Sequence, residues 1–184
     1  EEEMKKLESS LKNMLLVLTG VTAISVALLA YVNELTKDPI AEANAKTLSD
    51  AISIVVPAFD NNPTAEATKE TVNGVEYTIY PAKKDGQWVG AAVESSAMGF
   101  GGELKVLVGF DADGKIYDYS LLSHAETPGL GSKAADWFKE GNKGSIKGMN
   151  PGEAPLTVSK DGGQIDAITA STITSRAFLN AVNA

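Results

Sequence analysis

The chain contains no cysteine in its 184 residues. Disulfides, thiolate metal ligands, iron–sulfur ligation and thiol catalysis are therefore excluded within it. It has one histidine, His124, with no second imidazole and no acidic cluster beside it in sequence, which argues against a metal centre. Ser123, His124 and Glu126 crowd together locally and no G-x-S-x-G elbow is present, so no hydrolase triad is read there. No long basic run follows the first residues. Lys and Arg number 16 against 24 Asp and Glu, a formal net charge of −8. That balance argues against nucleic acid as a partner. The Gly-rich stretch Gly99-Phe100-Gly101-Gly102 is not a G-x-G-x-x-G fingerprint, and no strand–helix unit surrounds it. It reads as a tight loop or as one wall of a pocket. No residue is assigned as catalytic or as a metal ligand.

What the chain does have is an uncharged apolar run from Met14 to Val32. As a helix it spans about 28 Å, enough for a bilayer core. A cleaved signal peptide is the rival reading, but its apolar region is usually shorter and no small-x-small site follows Tyr31. Lys5, Lys6 and Lys12 precede the run, while Glu34, Lys37 and Asp38 nearly balance after it. The positive-inside rule then places residues 1–13 in the cytoplasm and everything after Val32 outside. Met4 reads as the natural start, and Glu1-Glu2-Glu3 are set aside. Thr36-Lys37-Asp38-Pro39 predicts the end of the spanning helix and a new helix capped by Asp38 with Pro39 at its first position. Its apolar face is Ile40, Ala41, Ala45, Leu48, Ile52 and Val55, a stalk closed by Pro57.

Strands are predicted at Val72–Tyr80, Gln87–Ser95, Leu104–Phe110 and Ile116–Leu122, rich in Val, Ile and Tyr. The turn signals Lys84-Asp85-Gly86 and Asp111-Ala112-Asp113-Gly114 join them as an antiparallel meander. Pro128-Gly129 fits a type II turn, with Gly129 at positive φ. Ser132 is expected to cap a short helix burying Ala135, Trp137 and Phe138. Leu156–Lys160 and Gln164–Thr169 are expected to pair as a hairpin through Asp161-Gly162-Gly163. The expected layout is 1–13 cytoplasmic, 14–32 membrane helix, 33–70 juxtamembrane helix and linker, and 71–184 the main domain.

The most informative stretch is Asp166 to Ser175, where five hydroxyl side chains fall within the seven residues Thr169–Ser175. Ala177, Phe178, Ala181 and Val182 then recur at helical spacing. This is a strand, a turn and a helix start. Hydroxyls there satisfy orphan backbone N–H groups. The same groups and the helix dipole attract a phosphate. A capped helix and a phosphate site both stand as readings of the composition.

A single anchor, the run His124-Ala-Glu-Thr-Pro-Gly-Leu-Gly131, and Asp166-x-x-Thr169-Ala-Ser-Thr172 together resemble the covalent-FMN domain family. Within it the chain is similar to the G subunits of Rnf ion-translocating electron-transport complexes. The juxtamembrane Thr36-x-x-x-Ile40-Ala41 adds to that resemblance. The C subunits of sodium-pumping NADH:quinone reductases are similar but usually longer. The family motif is Asp, two variable residues, Ser, Gly, Ala, Thr. Asp166 matches, Thr169 stands for the Ser, Ala170 for the Gly, Ser171 for the Ala, and Thr172 is the acceptor. Ala170 is the largest departure, because a Gly needed at positive φ leaves Ala strained.

The resemblance implies an α+β fold: an antiparallel-sheet FMN-binding domain with peripheral helices behind one N-terminal transmembrane helix. It implies an electron-relay subunit of a ferredoxin:NAD oxidoreductase complex that moves sodium or protons, and not an enzyme alone. A magnesium-dependent flavin transferase would move the FMN part of FAD onto Thr172 as a phosphoester, reading Asp166. The phosphate would lie against Thr169, Ala170, Ser171, Ile173 and Thr174, with Lys160 neutralising charge. The Glu126–Gly131 turn, chiefly Glu126, Thr127, Gly129 and Leu130, and the Met98–Gly102 loop, chiefly Met98, are the candidate walls for the flavin ring. Other membrane and peripheral subunits would be its partners, and the bacterial inner membrane its location, with the C-terminal domain extracytoplasmic. The alternative is an anchored extracytoplasmic flavin-binding or sensory module with no relay role.

Overall fold

The computed structural model describes residues 10–72 and 75–184. Met4, Lys5 and Lys6, and the Asn73-Gly74 part of the first expected strand, lie outside the described residues. The chain divides into two units, the first ending at Lys46 and the second running from Thr47 to Ala184.

The first helix, α1, is continuous over Leu11–Val55, with Pro39 inside it. The expected break at Asp38-Pro39 is corrected by this finding. An interior proline forfeits its own amide bond and crowds the preceding turn. Here Ala41, Glu42, Ala43, Ala45, Lys46 and Leu48 follow, mostly strong helix formers, and they carry the helix onward. Among the described residues α1 is the one helix long and apolar enough to cross a membrane, with a mean hydropathy of 2.3 in its most apolar window. The hydroxyls of Thr22 and Thr36 donate to the carbonyls of Leu18 and Val32, both at 2.8 Å. A polar group is thus satisfied inside its own helix.

The second unit is built on a five-stranded antiparallel meander in the order β1-β2-β3-β4-β5. The strands are β1 Thr68–Val72, β2 Val75–Lys84, β3 Gln87–Met98, β4 Glu103–Asp111 and β5 Ile116–Ser123. The expected single strand Val72–Tyr80 crosses from β1 into β2, so the described residues hold five strands and not four. The Asp85-Gly86 turn has both residues at positive φ, +51° and +74°, as a two-residue hairpin matching strand twist requires.

Strand alternation divides the core. Leu104, Val106 and Val108 of β4 face one side, with Ile116, Tyr119, Phe138 and Phe178. Leu107 faces the other, with Tyr80, Ala82, Ala92 and the end of α1 at Ala51, Ile52 and Val55. Of the expected stalk face, Ile40, Ala41 and Ala45 stay exposed, and only the C-terminal part is used. Gly109 makes that packing possible: a Cβ there would lie 1.7 Å from the Val55 carbonyl oxygen.

The helix α3, Thr172–Asn183, covers the opposite face and buries Ala177, Phe178, Leu179, Ala181 and Val182. Phe178 stacks on Phe138 at 4.3 Å between centroids and meets Tyr119 edge-on at 4.8 Å. Burying a side chain of this kind contributes about 1.5–3 kcal/mol. Two further expectations are corrected. Ser132 lies inside a 3-10 turn, Gly131–Lys133, and caps nothing; the short α2, Ala134–Trp137, starts after Lys133, and Ala134 and Phe138 are buried rather than Ala135. Leu156–Lys160 and Gln164–Thr169 do not form a hairpin. Val158 and Ile165 make one parallel bridge, because Ser159–Asp161 coils into a 3-10 turn ended by Gly162 at φ +87°.

Candidate functional site

Three segments distant in sequence converge on a cleft of about 400 Å³. They are the β3–β4 loop, through Phe100; the turn after β5, through Glu126, Thr127, Leu130 and Gly131; and the start of α3, from Ala170 to Thr174. Phe100, Leu130 and Ile173 are 69%, 41% and 52% exposed and form an apolar rim. The floor is polar.

The turn before α3 is sharp. Ser171 donates its amide to the Ile168 carbonyl at 3.0 Å, and Ala170 sits at φ +61°. A side-chain-bearing residue is strained there. Ser171 occupies the N-cap position at φ −137°, ψ 44°, and makes no side-chain cap. The expected hydroxyl capping is therefore corrected. The left-handed residue before Ser171 turns its backbone away from the extended geometry that capping uses. The other buried hydroxyls are engaged elsewhere. Ser175 Oγ accepts from the Ile168 amide at 2.9 Å and donates to the Ser171 carbonyl at 3.0 Å. Thr174 donates to Glu126 Oε2 at 2.6 Å. Among the described residues no protein acceptor meets the amides of Thr172, Ile173 and Thr174. The site thus keeps free donors at the positive end of a twelve-residue helix.

Glu126 is only 5% exposed. Its Oε1 accepts from the Gly101 amide at 3.1 Å, and its own amide donates to His124 Nδ1 at 3.2 Å. The carboxylate thus ties the β3–β4 loop to α3. Two glycines make room for it. A Cβ on Gly99 would lie 2.1 Å from Glu126 Oε1, and one on Gly131 2.4 Å from Oε2. Pro128-Gly129 forms the expected type II turn, with Gly129 at φ +75° and the Leu130 amide donating to the Thr127 carbonyl at 3.1 Å. The Ser132 hydroxyl accepts from the Gly129 amide at 2.9 Å.

Thr172 is half-buried, and its Oγ1 accepts from Lys160 Nζ at 3.1 Å. Asp161, next to Lys160, receives both Nε and an Nη of Arg176 at 2.7 Å. That guanidinium holds the Asp161 carboxyl below the usual carboxylate range. Asp166 is exposed; it accepts from the Ser159 hydroxyl at 3.3 Å, and its carbonyl accepts from the Trp137 indole at 2.7 Å.

Of the residues expected from sequence, Glu126, Thr127, Leu130, Ala170, Ser171, Thr172, Ile173 and Thr174 line the cleft, and Lys160 reaches it through Thr172. Met98, Gly129, Thr169 and Asp166 do not line it. Met98 ends β3 opposite Glu103, 75% exposed. Phe100 and Gly131 line it too; both lie in stretches expected as walls, though neither was named as a single residue. An aromatic set among three glycines was the signal for Phe100, and the end of the Pro128-Gly129 turn was the signal for Gly131.

The fitted donor set suits a phosphorylated ring ligand: free amides and a lysine on one side, an apolar rim on the other. The family and sequence comparisons point the same way. The family model described as an FMN-binding domain matches residues 99–184, and the one described as the RnfG N-terminal region matches residues 4–55. The G subunit of the ion-translocating oxidoreductase complex of Cereibacter sphaeroides is 35% identical over 167 residues, covering 87% of this chain and 75% of that protein. The protein of the same name from Escherichia coli is 36% identical over 168 residues, covering 86% and 81%. Among solved structures, NqrC of Shewanella oneidensis aligns over 67% of each chain at 20% identity, with a TM-score of 0.48.

Proposed function

The chain belongs to the family formed by the G subunits of ion-translocating oxidoreductase complexes, and from that premise we propose that it relays electrons through an FMN attached by a phosphoester to Thr172. The carrying observation is the half-buried Thr172 hydroxyl, opening into the cleft at the start of α3 beside three amides that meet no protein acceptor among the described residues. The family's FMN-binding region, residues 99–184, contains every residue that lines this cleft.

FMN, when bound, supplies one- and two-electron redox chemistry. The residues of this chain do the holding. The amides of Thr172, Ile173 and Thr174 and the Lys160 ammonium would take the phosphate. Phe100, Leu130 and Ile173 would offer apolar surface to the ring and keep water from part of it. Glu126 acts from behind, fixing the loop and the helix that carry these groups. No acid–base pair of the protein is required for electron relay.

A flavin transferase would use FAD as donor and recognise Asp166, which is exposed near the acceptor. Residues 14–32 of α1 would cross the bacterial inner membrane, with the second unit on the extracytoplasmic side and the complex's other subunits as electron partners. The direct test is denaturing gel electrophoresis of the chain after co-production with a flavin transferase. The band is expected to fluoresce, and Thr172→Ala to be dark. A fluorescent Thr172→Ala band would remove Thr172 as the attachment point.

A further inference from the structure

Five hydroxyls crowd the segment Thr169–Ser175, yet the proposed chemistry needs one of them. Burial disposes of three. Ser171, Thr174 and Ser175 are 8%, 1% and 0% exposed; Thr174 donates its hydroxyl to Glu126, and Ser175 to the Ser171 carbonyl. Thr169 and Thr172 remain open to an incoming reagent. What separates them is a turn twelve residues before Thr172.

Ser159, Lys160 and Asp161 form a 3-10 turn whose successive side chains reach Asp166 before the hydroxyl segment, Thr172 within it and Arg176 just after it. Ser159 Oγ donates to Asp166 Oδ1 at 3.3 Å, Lys160 Nζ to Thr172 Oγ1 at 3.1 Å, and Asp161 takes the bidentate fork of Arg176. Arg176 lies one helical turn beyond Thr172, so the two outer bonds straddle the middle one. The turn is also anchored by its backbone, with the Ser159 amide donating to the Ile165 carbonyl at 2.8 Å.

We infer that the Ser159–Lys160–Asp161 turn selects Thr172 as the flavin acceptor, Lys160 orienting the acceptor oxygen and its two neighbours holding Lys160 in place. The inference rests on the reading of Thr172 as the attachment point. In the transfer, Thr172 Oγ1 forms a bond to the flavin-side phosphorus of FAD. The bond from that phosphorus to the bridging oxygen breaks, AMP departs with the electron pair, and the hydroxyl proton is released to water. An ammonium donating to Oγ1 stabilises that oxygen as its proton leaves and orients its free lone pair. After transfer the same ammonium faces the single negative charge of the phosphodiester. Among the described residues Thr169 meets no such cation.

The test is a time course of attachment with the full chain in detergent, purified flavin transferase, FAD and magnesium, read by in-gel flavin fluorescence. Lys160→Met is expected to lower the turnover of attachment about tenfold or more, the order expected for a lost charge-assisted bond, with the KM for the chain unchanged. Lys160→Arg is expected to restore most of the rate. Asp161→Ala, which frees the turn but keeps the ammonium, is expected to fall between. A thermal midpoint like that of the parent chain confirms that Lys160→Met is folded; should it not fold, the Lys160→Arg and Asp161→Ala rates decide. Attachment to Lys160→Met at the parent rate, while Thr172→Ala takes no flavin, overturns the inference and leaves the attachment point standing. A rise in KM alone overturns it too, since the turn would then be only a transferase docking surface. A parent chain that takes no flavin at all contradicts the underlying reading instead.

Discussion

The Glu126 carboxylate and the Thr174 hydroxyl meet at 2.6 Å although 48 positions separate them in sequence. Both are buried, and the second carboxylate oxygen holds the Gly101 amide at 3.1 Å. One side chain therefore joins all three segments that line the cleft. Glu126→Ala strands a buried hydroxyl and a partly buried amide, and is expected to cost about 1.5–3 kcal/mol. Glu126→Gln keeps one acceptor but turns a donor toward one partner, so it is expected to cost less. Urea midpoints of the detergent-solubilised chain check both, and an unchanged midpoint for Glu126→Ala would contradict the tie.

Gly131 and Gly129 sit two residues apart and predict opposite kinds of sensitivity. A Cβ on Gly131 would lie 2.4 Å from Glu126 Oε2, 2.7 Å from Thr174 Oγ1 and 2.9 Å from Glu126 Cβ. Gly131→Ala is expected to break the Glu126–Thr174 bond and to cost about as much as Glu126→Ala. Gly129 has open space around it but φ +75°. Gly129→Ala is expected to cost only the left-handed strain, about 1–2 kcal/mol. Flavin attachment separates them further: Gly131→Ala slows it, and Gly129→Ala leaves it near the parent rate.

Ala170 stands at φ +61°, where the family motif has glycine. Ala170→Gly relieves strain of about 1–2 kcal/mol and loosens the unfolded chain by about 0.4–1 kcal/mol. The net expectation is a gain of about 0.5–1 kcal/mol, read as a higher urea midpoint at unchanged slope. A loss of stability would show that the Ala170 methyl makes a compensating contact.

Much of this was readable before the structure, where the physics is local. Asp85-Gly86 and Pro128-Gly129 announced their turns because few residues tolerate positive φ. The apolar spacing of Ala177, Phe178, Ala181 and Val182 marked the buried face of α3. Elements with weak local signals were missed. β1 is Thr-Lys-Glu-Thr-Val, exposed throughout, so no alternation existed to read. Pro39 signalled a helix end, but one lost amide bond did not outweigh strong helix formers beyond it. The role of Glu126 was out of reach because its partners lie 25 and 48 positions away. Likewise a 3-10 turn at Ser159–Asp161 stands where part of a strand was expected, and the Arg176 partner of Asp161 lies 15 positions on, beyond the reach of local pattern.

Tyr119 is expected to contribute to the alkaline limit of the fold. Its hydroxyl donates to the Ala134 carbonyl at 2.7 Å and accepts from the Phe138 amide at 3.2 Å. Burial pushes the phenol well above its ordinary range. The folded state therefore holds this proton more tightly than the unfolded state. The associated stability is whole below about pH 10 and is lost as pH rises from there toward the raised value. Tyr119→Phe is expected to cost about 1–3 kcal/mol at neutral pH and to flatten the alkaline decline. A residual slope is expected from Tyr80, pushed up to about 12, chiefly by burial and then by Glu94. Unfolding followed from pH 8 to 12 checks the shape, and an unchanged alkaline limb in Tyr119→Phe would contradict it.

The central claim is that one hydroxyl, at Thr172, carries the flavin covalently. Intact-mass measurement of the denatured chain after co-production with a flavin transferase tests it most directly. The parent chain is expected to gain one FMN phosphoester and Thr172→Ala none, with peptide mapping locating the addition on Thr172. An FMN-sized increment that persists in Thr172→Ala, or that maps to Thr169, would contradict the account.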